Sequence, residues 1–358
     1  MAKHRVAVIG RTGKGNYGHG LDVVWKEFAS KIEIVAVADE SEAGGKAAAA
    51  RTGAPAVYTD YHKMLRDERP QIVSVAPRWL DAHHDMAIAC AEAGASIFLE
   101  KPMARSLEEA DRMVAACERS HVKLAIAHQM RLSPIVLDVR ERIRRGEIGQ
   151  VLEMRARGKE DARAGGEDLM VLGTHVFDLM RLFAGDPQWC FGHVAAQGHE
   201  MSAGDVRDGA EGIGPLAGDR LAALYTFPGN VYGYFASQLN DDKSGLRWGI
   251  DFYGSRGILQ LRAGMDPAVF RLASNTWTAD KAPWQPVPPP PGSATGQQAA
   301  NARLVADLIE AIEQDRQPRS SGYDGRWALE MILAVYRSQR TGGRVKLPLE
   351  DRRHPLVV

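Results

Sequence analysis

Ala95-Ser-Ile-Phe-Leu-Glu-Lys-Pro-Met103 is the stretch from which the fold can be worked out. Its apolar run, residues 97–99, is typical of a strand buried on both faces of a parallel sheet. Glu100 and Lys101 follow directly, so a cation is placed where a strand ends. Ligands of open α/β sheets bind outside the carboxyl ends of the strands, and a partly desolvated lysine can transfer a proton there. The alternative interpretation is an ordinary strand end with a solvated lysine.

Further strand-like runs lie on both sides of this stretch and alternate with segments of helical pattern. The predicted strands are residues 5–9, 32–38, a short strand or turn at 58–60, 72–76, the run ending at Leu99, and 123–127. The predicted helices are 21–28, 43–52, 61–67, 83–93 and one opened by a capping box at Ser106 and running to Arg119. This alternation predicts an α/β fold whose first part is a Rossmann-type, doubly wound parallel sheet with a nucleotide at its switch point.

A glycine-rich loop follows the first strand, and residues 13–18 have the spacing G-x-G-x-x-G. Glycines at such a place allow a tight turn and let backbone amides approach a pyrophosphate at the start of the next helix. The context of strand, loop, helix and strand strengthens this interpretation. The dinucleotide contacts predicted in the loop are Gly10, Thr12, Gly13, Gly15, Asn16 and Tyr17.

The second strand ends in two acids, Asp39 and Glu40. Asp39 stands about 20 residues past the glycines, where an acid would hold the adenine ribose hydroxyls. Two carboxylates would repel a 2′-phosphate, and the sequence shows no arginine placed to pair with it, so we predict NAD as the cofactor. The alternative is that Asp39 only caps a turn.

Composition and charge narrow the classes of protein. The 358 residues are enough for two domains, and Lys+Arg and Asp+Glu both number 45, so no net field favours nucleic acid or anionic lipid. The scattered cysteines, Cys90, Cys117 and Cys190, fit a reduced compartment and provide neither a disulfide framework nor a metal site. The chain runs from its first residues into a strand, so we expect no signal peptide, and no apolar run reaches the ~20 residues of a membrane span. We expect a soluble, cytoplasmic protein with no membrane or nucleic-acid partner.

The pattern changes after residue 135. A predicted strand at 151–157 carries Glu153, Arg155 and Arg157 at alternate positions, which indicates a sheet with one face exposed or used in an interface. Similar strands are predicted at 221–227, 231–238, 248–253 and 257–261, helices at 136–145, 301–314 and 324–340, a surface loop at 202–218 and an irregular segment at 276–296. We therefore predict a dinucleotide-binding domain at 1–127, and at 128–358 an α+β domain with a large, mostly antiparallel sheet, for substrate binding and oligomerisation.

A second group of polar residues lies in the segment 165–185, which we predict to be one helix. Asp168, Val171, His175 and Asp178 share one face of such a helix by their spacing. Burying polar groups without partners costs a few kcal/mol, so three polar residues on one face of an otherwise apolar helix must have a structural or functional role. We predict a functional role for His175, oriented by Asp178 one turn away; the alternative is a structural histidine.

Together these motifs resemble the Gfo/Idh/MocA family of NAD(P)-dependent oxidoreductases, named after glucose–fructose oxidoreductase, inositol dehydrogenase and a rhizopine catabolism protein. The matching residues are the loop 10–18, Asp39, Pro77, His83, Glu100-Lys101-Pro102, 131–134, Gly173-Thr-His175, Asp178 and 344–349. The resemblance implies a Rossmann domain, a sheet domain whose open face forms homodimers or homotetramers, and a cis peptide bond before Pro102. It also implies hydride transfer at a sugar or polyol carbon, with Lys101 and His175 flanking the reacting hydroxyl.

One position departs from the family pattern. Members that oxidise polyols usually carry an aspartate four residues before the histidine, and Val171 stands there in this chain. Asp168, a turn earlier, has an alternative role as a first-turn residue favoured by the helix dipole. An apolar neighbour disfavours an imidazolium, so we expect His175 to act as a neutral hydrogen-bonding group and Lys101 as the principal base.

The leading interpretation is an NAD-dependent dehydrogenase that acts on the CH–OH group of a sugar, sugar derivative or cyclic polyol. Its predicted catalytic residues are Lys101, His175 and Asp178, with no metal. Pro77, His83, Glu100 and Lys101 are added to the predicted cofactor contacts. Two alternatives are a redox-neutral lyase or glycosidase that uses retained NAD, and a non-catalytic, NAD-linked regulatory protein.

Overall fold

The computed structural model describes residues 3–239, 246–280 and 282–357. Met1 and Ala2, on which the expectation of no signal peptide partly rests, lie outside the described residues. The strands are β1 (His4–Ile9), β2 (Ile32–Ala38), β3 (Ala56–Tyr58), β4 (Ile72–Val75), β5 (Ser96–Leu99), β6 (Leu124–Ile126), β7 (Val151–Arg157), β8 (Trp189–Ala196), β9 (His199–Glu200), β10 (Arg207–Asp208), β11 (Pro215–Leu216), β12 (Arg220–Phe227), β13 (Val231–Gln238), β14 (Gly249–Gly254), β15 (Gly257–Arg262), β16 (Ala268–Leu272), β17 (Gln285–Val287) and β18 (Val345–Lys346).

The α-helices alternate with the early strands and flank the later ones. They are α1 (Glu42–Thr52), α2 (Tyr61–Glu68), α3 (His83–Glu92), α4 (Leu107–Arg119), α5 (Pro134–Arg144), α6 (Ala164–Val171), α7 (Gly173–Ala184), α8 (Gly296–Glu313) and α9 (Gly322–Thr341). Short 3₁₀ helices lie at Val24–Phe28, Leu80–Ala82, Gln129–Leu132, Ala203–Asp205, Ala210–Gly212 and Pro228–Asn230. Among the described residues, no helix has both the length and the apolar character to cross a membrane.

One compact unit contains the described residues up to Gln129 together with Ala210–Gly214 and Gly296–Arg326. Its sheet has six strands in the order β3-β2-β1-β4-β5-β6, and every neighbouring pair is parallel. Strands β4 and β5 are buried along their whole length, as strands covered on both faces should be. The predicted doubly wound parallel sheet is confirmed. Its order reverses between β1 and β4, and ligands of such sheets bind at this switch point.

The predicted helix at 21–28 is wrong in type and length. Turns extend to residue 23, and a 3₁₀ helix, Val24–Phe28, follows them. Gly18 and Gly20 take φ values of +58° and +82°, which carry the chain through turns and delay the helix. Trp25 is then fully buried, and its indole N–H donates to the carbonyl of Leu21 at 3.0 Å.

The second compact unit contains Met130–Gly209, the described residues of Pro215–Thr295, and the chain from Trp327 onward. Its large sheet runs β17-β16-β15-β14-β7-β13-β12-β8-β18, with β9 paired to β8. Among these described strands, the pair β7 and β13 is parallel and the other pairs are antiparallel. The predicted large, mostly antiparallel sheet is confirmed.

The inner face of this sheet packs on helices α7 and α9. Phe177 of α7 lies 4.7 Å from Phe235 of β13, measured between ring centres. Tyr225 of β12 is fully buried and its hydroxyl donates to the carbonyl of Met331 in α9 at 2.8 Å. Alternate residues on the outer face are exposed, as the period-two pattern predicts, and the largest are Phe191, Tyr232, Tyr234 and Phe270.

Several strands were not predicted. Strand β8 contains Gly192, which hides the alternation of apolar and polar side chains in the sequence. A Cβ at Gly192 would lie 2.9 Å from the Cα of Val335, so only glycine lets α9 approach the strand so closely. Strand β17 lies inside the segment 276–296, which was predicted to be irregular and of which residue 281 lies outside the described residues. Pro286 weakens the strand signal there, but β17 is an edge strand, where proline is tolerated. Strands β10 and β11 form a short ribbon within the predicted loop 202–218.

The predicted boundary between the dinucleotide-binding domain (1–127) and the substrate-binding domain (128–358) stays a prediction. The compact units divide the chain differently, because Gly296–Arg326 belongs to the same unit as the parallel sheet. Backbone hydrogen bonds explain this placement: the amide of Ile126 in β6 donates to the carbonyl of Ser320 at 2.8 Å, and the hydroxyl of Ser320 donates to the carbonyl of Ile126 at 2.8 Å.

Ser338 joins the sheet to α9, and its loss should destabilise the protein. Its buried hydroxyl accepts from the amide of Gly192 at 2.8 Å and donates to the carbonyl of Gly343 at 2.6 Å. Ser338→Ala should lower the free energy of unfolding by about 1–3 kcal/mol, because it leaves the buried Gly192 amide without a partner. Denaturant unfolding measures this, with Ser30→Ala at an exposed position as the control. Equal stabilities of the two variants would contradict the assignment.

Candidate active site

The carboxyl end of β1 has no room for a side chain at Gly10. A Cβ there would lie 2.2 Å from Cε1 and Cζ of the Tyr17 ring. Tyr17 is itself buried, and the guanidinium of Arg51 lies 4.2 Å from its ring centre. Burial raises the pKa of Tyr17 far above its usual range, and the nearby Asp39 carboxylate acts in the same direction, so the phenol stays neutral. Gly10, which precedes the G-x-G-x-x-G segment at the strand end, is therefore required sterically.

Residues 11–16 close into a tight hairpin. The amide of Arg11 donates to the carbonyl of Asn16 at 3.0 Å, and the amide of Asn16 donates back at 2.9 Å. The amide of Lys14 donates to the Arg11 carbonyl at 2.9 Å, and that of Gly13 donates to Oδ1 of Asn16 at 3.1 Å. These N–H groups are thus bonded within the loop, and a pyrophosphate held by the hairpin in this form would have to use other groups.

The two acids that follow β2 differ in their surroundings. Asp39 is only 2% exposed and accepts from the amide and hydroxyl of Thr12, the latter at 2.7 Å, and from the amide of Ser41 at 2.9 Å. The side chain of Glu40 is 67% exposed, and its Oε1 lies 3.7 Å from Nε of Arg11. Arg11 also donates to Asp81 at 2.8 Å. The expectation that no arginine accompanies these acids is wrong, because Arg11, which follows β1, lies beside Glu40.

His83 ties together the loops that follow β4 and β5. The ring is fully buried, with Nε2 2.7 Å from the carbonyl oxygen of Pro77 and Nδ1 3.0 Å from that of Pro102. Burial lowers the pKa of His83, against the opposing effects of these two carbonyls and of Glu100. The Lys101–Pro102 peptide bond is cis, as the family resemblance implies. His83 thus positions the loops from within the protein, and a direct contact with a cofactor stays a prediction.

Glu100 and Lys101 lie at the carboxyl end of β5. Glu100 is fully buried, and its Oε1 lies 3.1 Å from Nδ1 of His19. Burial alone would raise the pKa of Glu100, but His19, Lys101 and His83 together hold it below its usual value. Lys101 is 8% exposed. Gly18 completes this packing, since a Cβ there would lie 2.6 Å from the carbonyl oxygen of Ala76. The glycine-rich loop and the Glu-Lys-Pro motif therefore meet at the carboxyl edge of the sheet.

The predicted single helix over 165–185 is wrong. Gly165 has φ +65°, and the helix breaks at Leu172 into α6 and α7. At Gly165 a Cβ would lie 2.5 Å from the carbonyl oxygen of Gly218, so the close backbone approach sets its conformation. Gly173, a poor helix former, follows the break. Val171 is the last residue of α6 and His175 lies in α7, so the spacing of one ideal helix does not apply across them.

Asp168 has a structural environment. Its buried carboxylate accepts from the amides of Lys159 and Glu160, both at 3.1 Å, and from the hydroxyl of Ser237 at 2.6 Å. A Cβ at Gly158 would lie 2.0 Å from the Asp168 carboxylate, which shows how closely the chain wraps around it. Asp168 therefore holds the segment after β7 against β13, and the explanation by the helix dipole is not needed.

His175 and Asp178 lie on α7, close to aromatic and basic side chains from other segments of the chain. The His175 ring is nearly buried and meets Trp248 edge-on, with 6.2 Å between ring centres. The ammonium of Lys159 lies 6.0 Å from the same indole. Asp178 Oδ1 accepts from Arg131 at 2.7 Å. That Asp178 orients His175 stays a prediction; Arg131 was quoted only as part of a motif, and its position gave no signal that it would pair with Asp178.

Two family models match this chain. The model described as "Oxidoreductase family, NAD-binding Rossmann fold" matches residues 4–128, and the one described as "GFO/IDH/MocA C-terminal domain" matches residues 136–260. The chain belongs to the GFO/IDH/MocA family of oxidoreductases. The unit with the parallel sheet therefore carries an NAD-binding Rossmann domain, and the resemblance noted from the motifs is confirmed.

Characterised relatives span most of the chain. D-apiose dehydrogenase from Paraburkholderia graminis is 26% identical over 350 residues, covering 93% of this chain and 88% of its own length. Levoglucosan dehydrogenase from Pseudarthrobacter phenanthrenivorans is 25% identical over 337 residues, covering 84% and 86%. A solved structure described as levoglucosan dehydrogenase in complex with NADH and levoglucosan has a TM-score of 0.79 and 19% identity, covering 97% of this chain and 100% of that one. That structure supports the fold.

The residues at the edge of the parallel sheet fit a dinucleotide. The exposed Glu40 carboxylate beyond β2 lies where a Rossmann domain holds the acid that binds the ribose hydroxyls, and the glycine-rich loop follows β1 as it does in that fold. Among the described residues, no group of three or more His, Cys, Asp or Glu side chains is arranged to hold a metal ion.

Gly10→Ala should disrupt the glycine-rich loop. The new methyl group would have to displace the Tyr17 ring, which costs about 1–3 kcal/mol of stability, as overpacking of a filled site usually does. NAD affinity should fall with it, and Tyr17→Ala added to this variant should restore part of the stability. Thermal unfolding and NAD titration measure both effects, with Gly343→Ala as the control because a Cβ there meets no atom within 4 Å. A stable Gly10→Ala variant with unchanged NAD affinity would contradict this account.

Proposed function

We propose that this protein is an NAD-dependent dehydrogenase that transfers a hydride between nicotinamide and a CH–OH carbon of a sugar, sugar derivative or cyclic polyol. The observation that carries the proposal is Lys101, almost buried at the carboxyl end of β5 in an NAD-binding domain. Relatives support the substrate class by their names, which include D-apiose, levoglucosan and myo-inositol 2-dehydrogenases.

Alcohol oxidation needs a hydride acceptor and a base for the hydroxyl proton. NAD supplies the acceptor when bound. We assign the base to Lys101, whose backbone direction is set by the bridge from His83 to the carbonyl of Pro102. His175 donates or accepts a hydrogen bond at the substrate hydroxyl. Asp178, which is paired with Arg131, is retained as the residue that orients His175.

The proposed cofactor contacts extend along the carboxyl edge of the parallel sheet. We retain for this role Gly10, Thr12, Gly13, Gly15, Asn16, Tyr17, Asp39, Pro77, His83, Glu100 and Lys101. Support for the set is that its members belong to one compact unit, in the segments that follow β1, β2, β4 and β5. We also retain 1–127 as the cofactor domain and 128–358 as the domain for substrate binding and assembly.

A substrate panel tests the proposed reaction. The purified protein is incubated with NAD and D-apiose, levoglucosan or myo-inositol, and NADH is followed by absorbance. NADH formation on one of these or on a related sugar supports the proposal. Conversion of a sugar without net NADH would replace it by a redox-neutral lyase or glycosidase. Tight NAD binding without conversion of any sugar would favour a regulatory protein.

Lys101→Ala should lower turnover by ~10²-fold or more, the usual scale for losing a general acid–base group, and leave NAD affinity within a few-fold. Lys123→Ala is the matched control, because Lys123 lies just before β6 at the opposite edge of the sheet and pairs with Asp315 at 2.6 Å. Steady-state kinetics and NAD titration of both variants provide the comparison. If His175→Asn abolishes turnover while Lys101→Ala does not, the base has been assigned to the wrong residue.

We further propose that the outer face of the large sheet joins copies of this chain into a homodimer or homotetramer in the cytoplasm. Tyr234 and Phe191 line an open groove on this face together with Arg155 and His193. Closed symmetric pairing is the commonest way to cover such a sheet. The reducing location is supported by Cys90, Cys117 and Cys190, all of which are free and buried.

Tyr234→Asp should convert the assembly into monomers. A buried, unpaired carboxylate at the centre of a symmetric interface would appear once in each copy and oppose association. Light scattering at micromolar concentration measures the mass, and circular dichroism checks that the variant is folded. A monomeric parent protein, or a variant that keeps the parent's mass, would refute this interface.

A further inference from the structure

A five-residue segment far along the chain folds against the loops of the NAD-binding domain. This segment, Ala210–Gly214, is called the strap here, and it belongs to the same compact unit as the parallel sheet. Ile213 is only 2% exposed, and its amide donates to the carbonyl of Ala210 at 3.3 Å. Glu211 takes φ +57°, a left-handed conformation that costs free energy and persists only where the surroundings fix it. The strap is therefore held in one conformation by its contacts.

The strap packs on the 3₁₀ helix that follows β4. At Gly212, which has φ +64°, a Cβ would lie 3.0 Å from the Cβ of Asp81 and 3.3 Å from its backbone nitrogen. One residue earlier, Oε1 of Glu211 accepts from Nη2 of Arg78 at 2.5 Å. The side chains of Arg78 and Glu211 are 45% and 29% exposed. The strap thus holds the loop 76–82 by a steric contact and by an ion pair.

The loop 76–82 in turn lies against the glycine-rich loop. The amide of Arg78 donates to the carbonyl of Gly15 at 3.2 Å, and a Cβ at Gly15 would lie 2.5 Å from the backbone nitrogens of Arg78 and Trp79. Arg11 adds a second connection by donating to Asp81 at 2.8 Å. These two loops follow β1 and β4, between which the strand order reverses, so they border the crevice in which such a fold binds its dinucleotide.

We propose that the strap controls the exchange of the dinucleotide, and that Glu211 is a positioning residue that acts on the cofactor site through Arg78. While the ion pair is made, the loop 76–82 stays against Gly15 and the crevice is closed. When the ion pair breaks, the loop moves away from Gly15 and the dinucleotide enters or leaves.

The ion pair is made whether or not the crevice is filled, so it slows association and release alike, as a closing loop does. It therefore affects the two rate constants much more than the dissociation constant. This inference rests on the NAD-binding domain and is independent of the proposed sugar chemistry.

Stopped-flow measurements of NADH fluorescence, without any sugar, test the proposal on the full-length protein freed of dinucleotide. Mixing with NADH gives the association rate, and displacement of bound NADH by excess NAD gives the release rate. Glu211→Gln should raise both rates by about threefold, the scale of a partly exposed ion pair, and leave the dissociation constant within about twofold. Arg78→Gln should have the same effect, and the double variant should be no faster than either single one, because both changes remove one interaction.

Glu310→Gln is the matched control. It removes the same charge from an ion pair with Arg316, whose atoms are 2.9 Å apart, and it lies one turn before Glu313, which is close to His4 at the amino end of β1. This variant should keep the rates of the parent protein.

Gly212→Ala tests the steric contact independently of charge. The new methyl group would displace Asp81 and would stand on a backbone that favours glycine, so the strap should loosen and the release of NADH should accelerate. Circular dichroism checks that this variant is folded.

The proposal is overturned if Glu211→Gln releases NADH no faster than Glu310→Gln does. It is also overturned if the dissociation constant rises as much as the release rate, since the ion pair would then stabilise the bound form alone. Faster release in Arg78→Gln but not in Glu211→Gln would make Arg78 a ligand of the phosphates instead. A protein that oxidises no sugar would leave all of these rates measurable, so failure of the proposed function is distinguishable from failure of this inference.

Discussion

The bridge made by the buried His83 ring is the constraint on which the candidate site of the parallel-sheet unit depends. Its two nitrogens reach the carbonyls of Pro77 and Pro102, which belong to the loops after adjacent strands. Both carbonyls lie within hydrogen-bond distance of one buried ring, and a neutral imidazole donates to one of them, so the ring fixes the separation of the loops. Glu100 and Lys101 lie between β5 and this bridge, and their direction follows from it. His83, which is predicted to contact the cofactor, thus also fixes the loops that carry other proposed contacts.

Steric exclusion complements this bridge at the end of β1. The Tyr17 ring packs so closely on Gly10, and the carbonyl of Ala76 on Gly18, that a Cβ at either glycine would overlap its neighbour. The buried pairing of His19 with Glu100 then ties the loop to β5. Burying a carboxylate is tolerated only when charge partners offset its desolvation, and here the partner comes from the loop itself. The loop and the Glu-Lys-Pro motif therefore stabilise one another.

The sequence was sufficient for the architecture because the parallel strands are continuous apolar runs and the antiparallel strands alternate. It was insufficient where a contact joins residues far apart in the chain. Asp168 is satisfied by Ser237, and Arg11 is held by Asp81; neither pairing has a local signal. The non-helical conformation of Gly165 at the start of α6 likewise goes with the close approach of Gly218, which is distant in the chain. Helical spacing alone cannot anticipate such a contact.

Polar residues at or beside the motif positions fall into two classes: those whose hydrogen bonds are already made within the protein, and those that keep an unused donor or acceptor. Asp39, Asp168 and His83 have their acceptors or ring nitrogens engaged by the protein's own groups, so contact with a ligand would require breaking existing bonds. Glu40 keeps its carboxylate exposed, and the Nε of Arg11 has no hydrogen-bond partner. An unmade hydrogen bond in a buried group costs free energy that a ligand can recover, whereas a satisfied group has nothing further to offer. Glu40 and Arg11 are therefore the groups at this strand end that can bind a ligand without breaking an existing hydrogen bond.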